Sequence, residues 1–170
     1  MNKSEHCKEV YAYFGLAIFR AQCVEQSIIQ LLIFLVFFKE NVTKISSIEK
    51  WEVDFDDFDK ALSKKTMGHL LGALKELQVL NEVTESTLSK ALIKRNWLAH
   101  GYFVDRAIEF LNTSGRNKMI SELKDIIEIF NSAEDFLQPI AKKLALQYGL
   151  TDERLEEMKK EIYPSEIDDM

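Results

Sequence analysis

Hydrophobic positions in the first forty residues recur at helical spacing. From Ser4 to about Phe38, apolar side chains return every three or four residues, as on one face of an α-helix. Beyond Ile28 the sequence is apolar on every side, so we expect this end to be covered all round, with a second subunit as the natural cover. The stripe consists of Val10, Phe14, Ala17, Ile18, Ala21, Val24, Ile28 and Leu31.

The most apolar part of this helix is too short for a membrane span. Residues 28–38 are interrupted only by Gln30, whereas a span needs about 20 apolar residues. We therefore expect a buried helix or a subunit interface and no membrane partner; membrane association is the alternative. Four polar residues block any extension towards the N-terminus: Arg20, Gln22, Glu25 and Gln26.

Residues 39–59 have the least regular pattern. Trp51, Val53 and Phe55 alternate with acidic residues, which is typical of a short extended piece. The pattern therefore predicts an irregular segment here, with an acidic loop or helix start.

The rest of the chain shows helical periodicity with recognisable start and stop residues. Thr66 can cap a helix, Gly149 can end one, and Asn112 to Arg116 has the composition of a turn. Together these patterns predict an all-α fold: a single bundle of four or five helices over 1–150, with a short C-terminal helix and tail over 151–170. The predicted helices cover about 66–80, 84–111 and 118–148.

Composition agrees with one globular domain. Of 170 residues, 46% are hydrophobic and 29% are charged, and only two are proline. The net charge of −6 counts against a protein that covers nucleic acid with a broad basic surface. It leaves room for an enzyme that holds one or two phosphates in a small cleft.

The cysteines and histidines limit the available chemistry. Cys7 and Cys23 are 16 positions apart on one predicted helix, roughly 24 Å, which is too far for a disulfide. Free thiols fit a reducing cytoplasm, where we expect this protein. His6, His69 and His100 are not spaced i, i+4, so no helical pair of metal ligands is predicted.

One segment, Lys94 to Tyr102, combines residues that can act on a phosphate ester. Asn96 and His100 share a helix face, whereas Arg95 and His100 are about 140° apart around the axis. Arg95 and His100 can converge if the arginine uses its long stem, if the helix distorts near Gly101, or if two copies face each other in a dimer.

The chemistry of these residue types is coherent. Histidine titrates near neutrality and can act as a general acid or base, and arginine can hold a phosphate. RNA supplies its own nucleophile, the 2′-hydroxyl, so no metal is required. The alternatives are that His100 is structural, as a lone histidine commonly is, and that Arg95 forms an ordinary surface salt bridge.

The run Arg95-Asn96-x-x-x-His100 resembles the signature of the HEPN superfamily. The resemblance implies an all-α bundle that dimerises and brings two such motifs into one cleft. It further implies a metal-independent endoribonuclease that leaves a 2′,3′-cyclic phosphate, needs no cofactor, and acts as a toxin of a toxin–antitoxin pair or in phage defence. In that setting His100 is the acid–base group, Arg95 the phosphate ligand and Asn96 the polar helper.

Three further residues enter as candidates. Tyr102 matches the tyrosine that a nucleotidyltransferase antitoxin modifies with AMP in some toxins of this type, which makes it a regulatory candidate. Glu25 and Arg20 are polar residues in the most apolar helix, and each either supports the site or forms a salt bridge. The chain is longer than compact HEPN proteins. The other functions left open are a non-catalytic HEPN-like module that binds a nucleotide or protein, and a purely structural helical protein.

Overall fold

A computed structural model describes residues 3–44 and 47–162, and these residues form helices with no strand among them. The all-α prediction is therefore confirmed. Helix α1 continues without a break through π-helical Ile33–Phe38 and two short turns to Lys44. The helices are α1 Lys3–Leu32, α2 Ile48–Ser63, α3 Met67–Glu76, α4 Glu82–His100, α5 Tyr102–Asp105, α6 Ala107–Phe110, α7 Thr113–Gln147 and α8 Asp152–Ile162.

Five of these helices begin at a side chain that caps them. In each case the side-chain oxygen accepts a hydrogen bond from the backbone N–H three residues later, which satisfies a donor that the helix itself leaves free. Thr66 was predicted to start a helix, and it does cap α3. The five caps are Ser47 for α2, Thr66 for α3, Asn81 for α4, Asn112 for α7 and Thr151 for α8.

The two longest helices, α1 and α7, form the centre of the bundle. They pack along each other; α4 packs against α7, and α3 against α1. Because their apolar stripes face inwards, the side chains between them are almost completely withdrawn from solvent. This core includes Val24, Ile28, Leu88, Leu123, Ile126 and Phe130.

The prediction of an irregular, partly extended segment over 39–59 is wrong for most of its length, because α2 occupies Ile48–Ser63. Trp51, Phe55 and Phe58 lie at helical spacing and pack on Phe37, with ring centroids 5.5 to 5.6 Å apart. The apparent alternation came from Val53, which is 60% exposed and takes no part in this packing.

The apolar end of α1 is covered by its own chain. Besides the aromatic rings of α2, Tyr148 at the end of α7 packs on Phe34 and Phe38, at 5.9 and 5.1 Å between centroids. A second subunit is therefore not needed to cover this end, because α2 and Tyr148 supply apolar contacts there.

Two predicted boundaries differ around residue 101. The helix expected over 84–111 ends at His100, and two short helices, α5 and α6, follow Gly101. The predicted turn at 112–116 is instead the start of α7, because Asn112 accepts from Gly115 N–H at 2.8 Å. The same side chain that favours a turn also caps a helix, so composition alone did not separate the two.

The C-terminal part follows the prediction closely. Gly149 has φ of 76°, the left-handed conformation that commonly ends a helix, and Thr151 caps the start of α8. Eight helices rather than four or five occupy the described ranges, so the predicted number is too low. The proposed division into 1–150 and 151–170 stays a prediction.

The continuous helix Lys3–Lys44 is long and apolar enough to cross a membrane, judged by length and composition alone. Half of its most apolar window is buried inside the bundle. The core helix of a water-soluble protein has the same properties, so this feature is weak support for a membrane span.

Candidate functional site

The predicted catalytic residues lie in the last two turns of α4. Arg95 is half-buried, while Asn96 and His100 are exposed. His100 is the last residue of the helix, and Gly101 N–H bonds to the carbonyl of Trp97 at 2.9 Å. The backbone leaves the α-helical path only after His100. A distortion near Gly101 therefore does not bring Arg95 and His100 together, and no hydrogen bond joins them in the part of the chain that the structure describes.

Arg95 is held by Glu25 of α1. Its Nη2 atom donates to Glu25 Oε1 at 3.2 Å, and the two side chains are only 26% and 16% exposed. Its Nη1 atom donates to Asn96 Oδ1 at 3.3 Å. Two candidates from distant parts of the sequence thus meet, and the salt bridge fixes the direction of the guanidinium group.

His100 is free to meet a ligand. Its imidazole is exposed and forms no hydrogen bond or ion pair with any residue in the described ranges. An exposed imidazole without an internal partner is available for proton transfer but is not oriented by a second group. Its orientation in a working site must come from substrate or from another chain.

A cleft of about 750 Å³ opens beside Arg95. Its lining comes from α1, from the region where α2 ends and α3 begins, from Arg95 of α4 and from α7. Arg95 borders this cleft, and His100 does not. The lining residues are Phe19, Gln22, Cys23, Glu25, Gln26, Ser27, Ile29, Ser63, Lys65, Leu70, Arg95, Glu134 and Gln138.

Tyr102 points into the core and away from solvent. It is 1% exposed, and its hydroxyl donates to the carbonyl oxygen of Met119 at 3.2 Å. Burial, and secondly the negative charge of Glu122, raise the pKa of the Tyr102 phenol well above its ordinary value, while Arg106 opposes this. Its regulatory role stays a prediction, and modification requires the hydroxyl to come out of the core.

A polar network that the sequence analysis missed braces the chain immediately after His100. Trp97 Nε1 donates to Asp105 Oδ2 at 2.7 Å, and the Arg106 guanidinium lies 4.9 Å from the centroid of the Trp97 ring. Arg106 also makes two hydrogen bonds to Glu122, at 2.8 and 2.7 Å, which raise its pKa. The signal in the sequence for this network was a pair of adjacent charged residues, Asp105 and Arg106, inside the predicted helix over 84–111.

Arg20, the other supporting candidate, does not line the Arg95 cleft, although its neighbour Phe19 does. Its guanidinium carbon is 6.0 Å from the Phe19 ring centroid, and its buried Nε atom has no hydrogen-bond partner in the described ranges. A supporting role for Arg20 stays a prediction.

The charge around the motif differs from that of the whole chain. The last fifteen residues of α4 include Lys90, Lys94 and Arg95 and no acidic residue, although the net charge is −6. Lys94 lies 5.1 Å from the Trp97 ring centroid, so its ammonium group stays close to the motif. A local positive patch of this kind attracts phosphate even on an acidic protein.

The sequence analysis also missed the cleft residues that lie on α7. Glu134 occurs in the buried stripe of α7, seven residues after Ile127 and four after Phe130. A carboxylate at such a position was the signal that could have identified it. Comparison of this chain with protein-family models, with curated proteins and with solved structures finds no match.

Proposed function

We propose that this protein is a metal-independent endoribonuclease of HEPN type that acts as a homodimer. The observation that carries the proposal is the pairing of a fixed cation with a free imidazole on one helix: Arg95, held by Glu25, and His100, exposed at the end of α4. These two groups match what cleavage of an RNA phosphodiester requires.

The reaction uses atoms that RNA already contains. His100 accepts the proton of a 2′-hydroxyl, the 2′-oxygen attacks the adjacent phosphorus, and the bond from phosphorus to the 5′-oxygen breaks. The leaving oxygen takes a proton from a protonated imidazole, so the products are a 2′,3′-cyclic phosphate and a 5′-hydroxyl. Arg95 offsets the charge of the phosphorane, and Asn96 offers an amide to a substrate oxygen.

Arg95 and His100 lie about 140° apart around α4, so one chain does not point both side chains at the same place. A homodimer removes this difficulty. In a dimer, the histidine of one copy can act with the arginine of the other. Leu16 and Phe19 are both exposed and lie three positions apart on α1, so they form an apolar stripe that is a suitable contact surface. Phe19 also lines the Arg95 cleft, so a second copy seated on this stripe would border the site.

The wider biological role follows from the same resemblance. We place the protein in the cytoplasm, as a toxin or phage-defence effector with RNA as its substrate and a nucleotidyltransferase-like antitoxin as its partner. Control through AMP on Tyr102 requires α5 to move, because the hydroxyl now faces Met119.

One observation favours the second candidate, a non-catalytic module that binds a nucleotide or a protein. The charge of Arg95 is already balanced by Glu25 at 3.2 Å, which leaves less of it for a transition state. In this alternative, the cleft binds a ligand and His100 transfers no proton.

Cleavage of RNA in EDTA distinguishes the two candidates. We expect the wild-type chain to cut single-stranded RNA and leave cyclic-phosphate ends, and the His100→Ala substitution to lower the rate by about 100-fold or more. Arg95→Ala should lower it by a similar factor. The His69→Ala variant is the matched control, since His69 is exposed on α3 and contacts Thr66. Full activity of the His100→Ala variant would contradict the proposal.

A further inference from the structure

The cleft that Arg95 lines also holds a carboxylate of α7 with one unpaired oxygen. Glu134 Oε2 accepts hydrogen bonds from Ser27 Oγ at 2.9 Å and from Gln138 Nε2 at 3.2 Å. Its Oε1 atom is closed off from solvent and has no partner within the described ranges, nor does Glu134 form an ion pair there. Two hydrogen bonds thus fix the carboxylate while half of its accepting capacity is left over.

Such an oxygen lowers stability unless a donor reaches it. Withdrawing a charged acceptor from water without a partner costs free energy, and an unsatisfied buried group in a native structure therefore points to a partner or a functional role. The missing partner is an N–H or O–H donor or a cation, because an ionised carboxylate oxygen only accepts. Lys65 and Arg95 line the same cleft, but neither forms an ion pair with Glu134, and the described residues contain no group of three or more side chains that could hold a metal ion. A ligand is therefore the natural donor.

Gln138 indicates what kind of donor fits. The exposed Gln138 side chain lies four residues after Glu134 on α7. Its amide N–H donates to Glu134 Oε2 through a long hydrogen bond of 3.2 Å. If this side chain swings aside, Oε1 and one lone pair of Oε2 become accessible together. Two adjacent N–H donors on one flat edge then bind the carboxylate, and the N1–H and N2–H₂ groups of guanine have this arrangement.

We infer that this cleft binds a guanine base of single-stranded RNA, with Glu134 accepting hydrogen bonds from its Watson–Crick edge. The inference rests on the proposed ribonuclease function, because Arg95, which lines the same cleft, then holds a phosphate of the same strand.

The other bases fit this carboxylate less well. Uracil presents its single N–H between two carbonyl oxygens, which the carboxylate repels. Adenine and cytosine present one amino group beside a ring nitrogen that only accepts. Glu134 therefore favours guanine over uracil most strongly.

Binding of four short RNAs tests the inference without depending on cleavage. The probes are fluorescent pentaribonucleotides that differ only in a central G, A, C or U, and the protein is the full chain carrying His100→Ala. We expect the G probe to bind about tenfold or more tightly than the U probe. In Glu134→Gln the amide oxygen keeps the bonds from Ser27 and Gln138, and the NH₂ group turns to the cleft. The preference for G should then disappear.

Two further variants and a melting curve complete the test. Gln138→Ala should keep the G preference, because it removes only the displaceable amide, and Asp135→Asn, an exposed neighbour on α7, should behave as the parent protein. Glu134→Gln should melt at or above the parent temperature. A clear loss of stability in Glu134→Gln, or equal binding of all four probes by the parent, overturns the inference.

The two proposals fail separately in these measurements. If the wild-type chain cuts RNA but the pentamers bind without base preference, the guanine site is wrong and the ribonuclease stands. If G binds through Glu134 and the wild-type chain cuts no RNA, the guanine site stands and the ribonuclease is wrong.

Discussion

Tyr102 and Arg95 lie seven positions apart, yet their surroundings separate them completely. Arg95 reaches out to Glu25 at the edge of a cleft, whereas Tyr102 turns inwards to Met119. The break in the helix at Gly101 causes this difference, since it changes the direction of every side chain that follows. At this scale the motif supplies an exposed imidazole and a fixed cation, while the neighbouring tyrosine belongs to the core.

Burial of Tyr102 predicts a loss of stability at alkaline pH. Its pKa is raised in the folded protein, so the unfolded chain releases the phenolic proton first as the pH rises. The stabilisation is therefore complete below about pH 10, the ordinary pKa of tyrosine, and declines above it. Denaturant unfolding between pH 8 and 11 should show this decline, and it should be smaller in Tyr102→Phe. An equal decline in both proteins would contradict the burial.

At the scale of the helices, α6 and α7 make a close backbone contact at Gly115. A Cβ atom placed on Gly115 would lie 2.1 Å from the carbonyl oxygen of Glu109, which belongs to the backbone and cannot rotate away. Gly115 therefore lets the first turn of α7 approach α6. Helix α6 is the last helix of the segment that runs from His100 to α7. The sequence pattern placed Gly115 in a turn, but in the structure Gly115 allows two helices to pack closely.

Substituting Gly115 tests this close approach. Gly115→Ala should lower the free energy of unfolding by about 1–3 kcal/mol, since the added methyl forces the two backbones apart. Gly72→Ala is the matched control: its Cβ meets no described atom within 4 Å, in the exposed middle of α3. The control should gain about 0.5–1 kcal/mol from helix propensity. Urea unfolding measures both, and equal shifts would argue against the packing role.

For the whole molecule, the homodimer that we propose needs a contact surface between its two copies. The acidic net charge of −6 opposes association through polar surface, so an apolar contact must provide the attraction. The stripe of Leu16 and Phe19 on α1 reaches the Arg95 cleft, which Phe19 lines, and is the surface that we assign to the second copy.

Charge placed on that stripe should dissociate the dimer. We expect Phe19→Glu to shift the wild-type protein from dimer to monomer in sedimentation equilibrium, because the carboxylate would be buried without a partner. Ribonuclease activity should fall in parallel. Val53→Glu is the control, since Val53 is equally exposed but lies on α2. A Phe19→Glu protein that sediments like the wild type would place the interface elsewhere.

The sequence by itself determined the features that depend on near neighbours. Helical periodicity gave the all-α class, Thr66 and Gly149 marked true helix ends, and the Arg95-to-His100 run identified the end of α4 as the candidate site. Capping and periodicity act over three to four residues, so they can be read locally.

Tertiary structure decided what depends on distant partners. It set α2 against the aromatic end of α1, turned Tyr102 inwards, and joined Glu25 to Arg95 across 70 positions. The pairing of Ser27 with Glu134 spans 107 positions and was invisible in either segment alone. Such contacts depend on how whole helices pack, because a side chain's partner is chosen by the geometry of the bundle and not by its sequence neighbours.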